Sequence, residues 1–165
     1  MKMRSLILLA VMGLISSYLN AEELTGKVIN VIDGNTLELE TKADGVYKIK
    51  LSEVDCPEIT QDFGEESKQY TESLILKKKV TIEIVGKDRK GTRLGKVVFG
   101  KGKVLNEELL KTGYAWYYNK SATNEQLTSL QDEAKAGKVG LWQSEDPTPP
   151  WIYRRKQTMM TAKSR

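Results

Sequence analysis

Short segments of alternating hydrophobic and polar residues, separated by tight-turn signals, constrain the fold of this chain more than any other feature. The run Thr-Leu-Glu-Leu-Glu at 36–40 is typical of a strand with one buried face. The sequence Asp33-Gly34-Asn35 directly before it favours a tight turn back to the preceding segment. The predicted strands cover 24–32, 36–40, 46–54, 80–85 and 93–99.

Helical signals fall after the third and after the fifth predicted strand. The predicted helices are one over about 65–77, a short one capped by Asn106, and one that begins at Thr123 and ends at Gly137. The prolines at 147, 149 and 150 are expected to end regular structure before a tail. This order predicts a mainly β protein of the α+β class, a five-stranded Greek-key barrel of the OB type with a helix between strands 3 and 4 and C-terminal helices.

The residue types that are missing limit the chemistry. The 165 residues include no histidine and a single cysteine, Cys56. These counts exclude a Ser-His-Asp or Cys-His centre, a metal site that needs imidazole, an intrachain disulfide and a thiolate zinc cluster. Catalysis would therefore use carboxylates, lysine, arginine, tyrosine, hydroxyls or a bound cofactor or metal.

The N-terminal segment has the pattern of an export signal. Lys2 and Arg4 precede an apolar run from 6 to 15, and Ala21 is a small residue just before two glutamates. Such a run is too short for a transmembrane helix and is typical of a cleaved secretory leader, with an uncleaved anchor as the alternative. We expect a signal peptide at 1–21, one domain at 22–143 and a proline-containing basic tail at 144–165. The mature chain would be secreted or periplasmic, with no membrane span.

Positive charge is concentrated in two parts of the chain. The net charge is +4, but the last fifteen residues contain five basic residues and no acidic one. Between 77 and 103, ten basic residues stand against two acidic ones, and they include Lys87, Arg89 and Lys90. Such a stripe is suited to binding nucleic-acid phosphates, although a solvated face is the alternative.

The segment Lys50-Leu-Ser-Glu-Val-Asp55-Cys-Pro-Glu58 is the strongest candidate for chemistry. Pro57 stiffens a loop that places Asp55 and Glu58 three residues apart after a strand. Two carboxylates there, with Asn35 from the neighbouring turn, could bind a hard cation through oxygen and orient a water molecule. The alternative is a solvated loop that caps the next helix.

Several motifs, taken in order, resemble the staphylococcal nuclease-like (thermonuclease) family over about residues 24–142. They are Val-Ile-Asp33-Gly34-Asn35-Thr36, Val-Asp55-Cys-Pro-Glu58, Phe63-Gly64-Glu65-Glu66-Ser67, Asp88-x-x-Gly91-x-x-Leu94, Val104-Leu-Asn106-Glu107-Glu108-Leu109-Leu110, Gly113-Tyr-Ala115-Trp116 and Gly140-Leu141-Trp142. The ending Pro-Pro-Trp151-Ile-Tyr153-Arg154-Arg155 is similar to the tail of some exported bacterial members. The resemblance implies an OB barrel and a Ca²⁺-dependent attack of water on phosphodiesters of DNA and RNA.

The resemblance also implies roles for individual residues. Asp55 matches a calcium-binding carboxylate, Cys56 a position whose backbone carbonyl ligates the ion, and Glu58 the carboxylate proposed as general base. Tyr117 and Tyr118 lie where the family places tyrosines beside the nucleotide, with packing at the rim as the alternative.

Three positions depart from the family pattern. The second aspartate of the family's Asp-Gly-Asp-Thr turn is Asn35, which removes a negative charge from the cation site. The arginine expected five residues before Asp55 is Lys50, which cannot form a bidentate contact with a phosphate. The arginine expected after Gly91 is Thr92, and Arg93 beside it would point to the other face unless a bulge returned it to the site.

These departures predict weak or lost nuclease activity. An arginine that stabilises a phosphoryl-transfer transition state contributes about 10³–10⁵ in rate. Lys50 and Arg93 are the remaining candidates for contacting the phosphate, with Glu58 as base. The alternatives are a non-catalytic OB module that binds single-stranded DNA or RNA, and an envelope domain that binds a protein partner.

Overall fold

The chain forms eight strands and four α-helices in a computed structural model that describes residues 22–43, 45–118 and 123–163. The strands are β1 (Glu23–Asp33), β2 (Thr36–Thr41), β3 (Gly45–Leu51), β4 (Val54–Asp55), β5 (Lys79–Lys87), β6 (Arg93–Phe99), β7 (Lys103–Val104) and β8 (Trp116–Tyr117). The helices are α1 (Gly64–Ile75), α2 (Leu105–Lys111), α3 (Glu125–Ala136) and α4 (Pro150–Lys163), with a 3₁₀ turn at Gly140–Gln143. The predicted leader at 1–21 lies outside the described residues.

Five strands curl into a closed barrel. The sheet order is β3-β2-β1-β5-β6, with the short β7 at the edge of β6. The barrel closes because β3 also pairs with β6 in parallel, Ile49 opposite Arg93 and Lys50 opposite Leu94. The predicted α+β fold with a five-stranded OB-type barrel is confirmed.

The core fills the barrel with side chains from alternate strand positions. Leu37, Leu39 and Ile49, each at most 1% exposed, come from β2 and β3, and Val28 and Ile82 face them from β1 and β5. Burying apolar area contributes roughly 25 cal/mol per Å², which makes this alternation the main determinant of the register.

The predicted strand at 46–54 is two strands in the structure. The chain bends at Glu53, whose φ is 59°, a conformation uncommon outside glycine. The backbone N–H of Ser52, next to the bend, donates to the carbonyl of Gly95 on β6 at 2.9 Å. The break lets Val54 and Asp55 pair with Tyr117 and Trp116 in a separate two-stranded sheet.

The predicted cap of α2 is wrong. The helix is capped at Val104 without a side-chain hydrogen bond, and Asn106 lies inside it, 3% exposed. The Asn106 amide instead joins two strands: its oxygen accepts from the N–H of Val97 at 3.2 Å, and its nitrogen donates to the carbonyls of Ser52 (2.8 Å) and Gly95 (3.4 Å). Satisfying these buried backbone groups outweighs capping, because an unpaired buried group is costly.

The C-terminal region contains more regular structure than expected. Asn124, not Thr123, caps α3 by accepting from the N–H of Leu127, and Gly137 ends the helix as predicted. Pro150, expected to end regular structure, begins α4, where its missing N–H would have had no helical partner. Within the described parts of the chain, no helix has the length and hydropathy required to cross a membrane.

Candidate active site

Asp55 is a buried carboxylate at the end of β4. The pairing of β4 with β8 places it opposite Trp116, and its side chain is 3% exposed. Lys50, at the end of β3, has its ammonium 3.6 Å from Oδ1 of Asp55. A charged carboxylate at this depth requires a positive partner, since desolvation opposes it.

The loop after β4 positions Glu58. The N–H of Glu58 donates to the side-chain oxygen of Gln61 at 3.3 Å, and the N–H of Gln61 donates back to the Glu58 carbonyl at 2.8 Å. The first residue of α1, Gly64, packs directly on this turn, so that a Cβ there would overlap the Glu58 carbonyl oxygen. The absence of a side chain at 64 therefore allows α1 to hold the Glu58 loop in place.

Replacing Gly64 by Ala is expected to lower the free energy of unfolding by about 1–3 kcal/mol, because the added methyl group overlaps backbone that cannot move freely. Urea unfolding monitored by tryptophan fluorescence would measure the loss. The neighbouring exposed position offers a control in Glu65→Ala. Equal stability of the two variants would show that the Glu58 loop yields without cost.

Arg154 of α4 bridges both carboxylates. Its Nη1 donates to Oε1 of Glu58 at 2.7 Å and to Oδ1 of Asp55 at 3.2 Å, and its Nη2 donates to Oδ2 of Asp55 at 2.6 Å. The hydrogen bonds to Asp55, and after them the one to Glu58, hold the pKa of the guanidinium above its usual range. Arg154 is therefore a permanent positive charge between the two candidate functional carboxylates.

Aromatic and polar contacts dock the first turns of α4 beside this site. The ring of Trp151 stacks on Tyr118, with centroids 4.8 Å apart, and meets Trp116 edge-on at 5.7 Å. The hydroxyl of Tyr153 donates to the carbonyl of Thr60 at 3.0 Å. Aromatic pairs of this geometry contribute about 0.5–1.5 kcal/mol each beyond area burial.

The Asp33-Gly34-Asn35 turn contacts β4, the strand that carries Asp55. The N–H of Asn35 donates to Oδ1 of Asp33 at 2.9 Å, and the Asn35 amide donates to the carbonyl of Val54 at 3.2 Å. Gly34 is enclosed so tightly by Ser67 and Cys56 that a Cβ would overlap both side chains. Burial raises the pKa of the Asp33 carboxyl, while hydrogen bonds from Asn35 and Thr36 and the charge of Lys50 oppose that shift.

Comparison with known proteins agrees with this geometry. A sequence model of the family described as staphylococcal nuclease homologue matches residues 48–144, which include the whole Asp55–Glu58 segment. The chain belongs to this family. An uncharacterized endonuclease of Escherichia coli O157:H7 is 38% identical over 135 residues, 82% of this chain and 88% of that protein.

Two other relatives extend the comparison. An uncharacterized endonuclease of Haemophilus influenzae is 35% identical over an alignment of 159 residues, which covers 94% of this chain and 89% of the relative. A probable staphylococcal-like nuclease of rice, Oryza sativa subsp. japonica, is 30% identical over 116 residues, 70% of this chain and 35% of that protein. The family of nucleases predicted from the motifs is confirmed.

Only some of the site residues implied by the family resemblance lie close together in the structure. Lys50, Asp55 and Glu58 meet around Arg154. Arg93 faces elsewhere: its Nε donates to Glu22 at 3.2 Å and its guanidinium lies 4.4 Å from the Tyr47 ring centroid. No local bulge returns Arg93 to Asp55 within the described residues, since the irregularity of this hairpin lies on β5 between Ile84 and Gly86.

The predicted nucleic-acid-binding residues also lie in different parts of the structure. The hydroxyl of Tyr117 accepts from the N–H of Asn124 at 2.7 Å, and its ring packs against the core, as a residue of the rim does. Tyr118 lies under Trp151 beside the site. Lys87, Arg89 and Lys90 are exposed on the β5–β6 hairpin. Other members of the basic stripe form ion pairs with neighbours, Lys96 with Glu83 and Lys103 with Glu108.

Cys56 is buried at 2% exposure among core residues. Burial raises the pKa of its thiol well above the ordinary value, so the sulfur is protonated and unreactive in the folded chain. Only its backbone carbonyl remains a candidate ligand.

The oxygen atoms around Asp55 and Glu58 show whether this site, as arranged, can bind a divalent cation. The oxygen atoms of Asp55, Glu58 and Asn35 are of the type that Ca²⁺ prefers. With α4 docked, however, Arg154 occupies both oxygens of Asp55 and one of Glu58. Over residues 22–43, 45–118 and 123–163, no three histidine, cysteine, aspartate or glutamate side chains form a group that could hold a metal ion. The residues as arranged do not fit the ion.

Sequence reasoning missed Arg154 as a residue of the site. The signal for α4 was the pair Pro149-Pro150 followed by a proline-free run, because proline is favoured in the first turn of a helix. No local signal indicated that this helix would pack on residues almost one hundred positions earlier.

Proposed function

We propose that this chain acts on the phosphodiester bonds of DNA or RNA at the Asp55–Glu58 pair, with low turnover. The observation that carries the proposal is the convergence of two carboxylates and two cationic side chains, Lys50 and Arg154, at one edge of a barrel of the staphylococcal nuclease family. The names of the bacterial relatives, uncharacterized endonucleases, support the same reaction class.

The charges of the site suit a phosphate substrate. Lys50 is 32% exposed and Arg154 is 39% exposed, so both can be reached from solvent. The parallel pairing of Lys50 with Leu94 places the β5–β6 hairpin, with its exposed basic residues, next to the strand that carries Lys50. Basic side chains of this kind supply the salt-dependent part of nucleic-acid affinity.

Glu58 is the residue that we propose takes a proton from the attacking water. Its side chain is 37% exposed, in contrast to the buried Asp55. General-base catalysis of this kind contributes about 10²–10⁴ in rate. Oε1 of Glu58 already accepts from Arg154, which leaves one carboxylate oxygen for water while α4 is docked.

Low turnover has two causes in this proposal. Lys50 presents a point charge where a guanidinium would grip two phosphate oxygens, and Thr92 has no charge. Arg93 does not replace it, because Glu22 and Tyr47 hold its guanidinium. Calcium dependence and export of the mature chain also stay predictions. Calcium dependence has no support in the arrangement of Asp55 and Glu58. Export concerns residues outside the described part of the chain.

A non-catalytic role in binding nucleic acid is the second candidate. The observation in its favour is that Arg154 already neutralises the carboxylate pair. Aromatic faces near a basic groove bind bases by stacking at about 1–3 kcal/mol per base, and Tyr118 and Trp151 are half-buried rings beside this site. A steep fall of affinity with salt, without cleavage, would favour this candidate.

The deciding experiment is cleavage of single-stranded DNA by the wild type and by Glu58→Gln in the presence of Ca²⁺. We expect slow cleavage that Glu58→Gln lowers by at least about 10²-fold. Glu65→Gln, an exposed change at the start of α1, is the matched control and should leave the rate unchanged. Turnover within tenfold of an intact relative would refute low activity, and cleavage that persists in Glu58→Gln would refute the assigned base.

A further inference from the structure

We propose that Arg154 and a divalent cation exclude one another at the Asp55–Glu58 pair, so that docking of α4 and cation binding are alternative states. The inference rests on the proposed function only in taking this pair as the reaction site. It assigns to α4 a role that the barrel residues do not have, which is to decide whether the pair can hold a cation.

The exclusion follows from shared oxygen atoms. Nη2 of Arg154 lies 2.6 Å from Oδ2 of Asp55, and Nη1 lies 2.7 Å from Oε1 of Glu58. A bound Ca²⁺ would lie at about 2.3–2.6 Å from its ligand oxygens and would need six to eight of them. An ion that used these two carboxylate oxygens would therefore occupy the volume of the guanidinium.

Electrostatics acts in the same direction. The pair carries two negative charges, and Lys50 and Arg154 together supply two positive ones. A dication added beside Arg154 would meet a like charge within about 4 Å, a distance at which positive charges near a protein surface repel one another appreciably. Moving the guanidinium away removes both the overlap and the repulsion.

The attachment of α4 is suited to such an exchange because it is confined to one end of the helix. Contacts with the barrel come from Trp151, Tyr153 and Arg154. From Arg155 to Lys163 every residue is exposed. Since Arg154 is one of few residues that attach α4, loss of its ion pairs weakens the docking of the whole helix. By linkage, the factor by which a bound cation weakens docking is also the factor by which undocking raises the affinity for the cation.

Titration of the full chain with CaCl₂, followed by isothermal calorimetry, tests the exclusion directly. We expect Arg154→Gln to bind Ca²⁺ at least about tenfold more tightly than the wild type. The neighbouring exposed residue offers a matched control, because Arg155→Gln removes the same charge without touching the pair. Hydrogen exchange should show that saturating Ca²⁺ increases exchange of the α4 amides in the wild type.

A second variant protects the test against misfolding. Trp151→Ala retains the Arg154 side chain but removes the stacking on Tyr118, and it should also raise the affinity for Ca²⁺. Equal or lower affinity in both Arg154→Gln and Trp151→Ala would overturn the proposal, as would the absence of Ca²⁺ binding to every variant. The calorimetry measures no cleavage, so failure of the proposed nuclease function would be seen separately.

Discussion

Restoring the three family residues, by Asn35→Asp, Lys50→Arg and Thr92→Arg together, is expected to raise cleavage of single-stranded DNA by about 10³-fold over the wild type in Ca²⁺. The first change adds a carboxylate at the turn that contacts Val54 of β4, and the other two add guanidinium groups for the phosphate. A phosphate-gripping arginine alone contributes about 10³–10⁵ in rate, and the effects need not add.

The strand register explains why position 92, and not 93, is the one to change. Leu94 is paired with Lys50 across the closing seam of the barrel, and Arg93 is paired with Ile49. Because side chains alternate between faces along β6, Leu94 shares the face of Lys50, and Thr92 lies two residues before Leu94, directly ahead of the strand. The side chain of Arg93 lies on the face opposite to Leu94 and Lys50, and its guanidinium accordingly lies over the ring of Tyr47.

Adding Glu58→Gln to the triple variant provides the control, since the gained activity should disappear with the base. Initial rates on one labelled oligonucleotide, at matched Ca²⁺ and salt, are sufficient for the comparison. A triple variant no faster than the wild type would show that these three residues do not limit the reaction.

Replacing Asn106 by Ala is expected to lower the free energy of unfolding by about 3–5 kcal/mol. The substitution leaves the N–H of Val97 and the carbonyl of Ser52 without this partner at a position 3% exposed. Each buried backbone group left unpaired costs about 1–3 kcal/mol. The effect extends to the site, because Ser52 begins the bend that leads to Asp55.

Urea unfolding would measure this loss against Asn30→Ala. Asn30 is exposed and donates one side-chain hydrogen bond, to Glu38 at 3.1 Å, so its replacement should change stability by less than about 1 kcal/mol. A similarly small change in the stability of Asn106→Ala would mean that water hydrogen-bonds to the N–H of Val97 and the carbonyl of Ser52 in place of the Asn106 amide.

Local patterns were sufficient to predict the barrel. The alternation in β2 and the turn at Asp33–Asn35 define neighbouring strands, because burial of one face of a strand sets its register. The prediction that 46–54 is one strand was wrong, since the bend at Glu53 depends on pairing with β6 and β8, which are distant in sequence. Asn106 was misread for the same reason: its partners lie on other strands.

The sequence by itself determined the family, the barrel and the two carboxylates, because short motifs and strand alternation, read in order along the chain, indicate each of them. Only the tertiary structure decided what neutralises the carboxylates. Arg154 and Asp55 are 99 positions apart, and the helix that carries Arg154 also packs Trp151 against Tyr118. No periodicity or motif specifies such a contact, since a helix has the same local pattern wherever it docks.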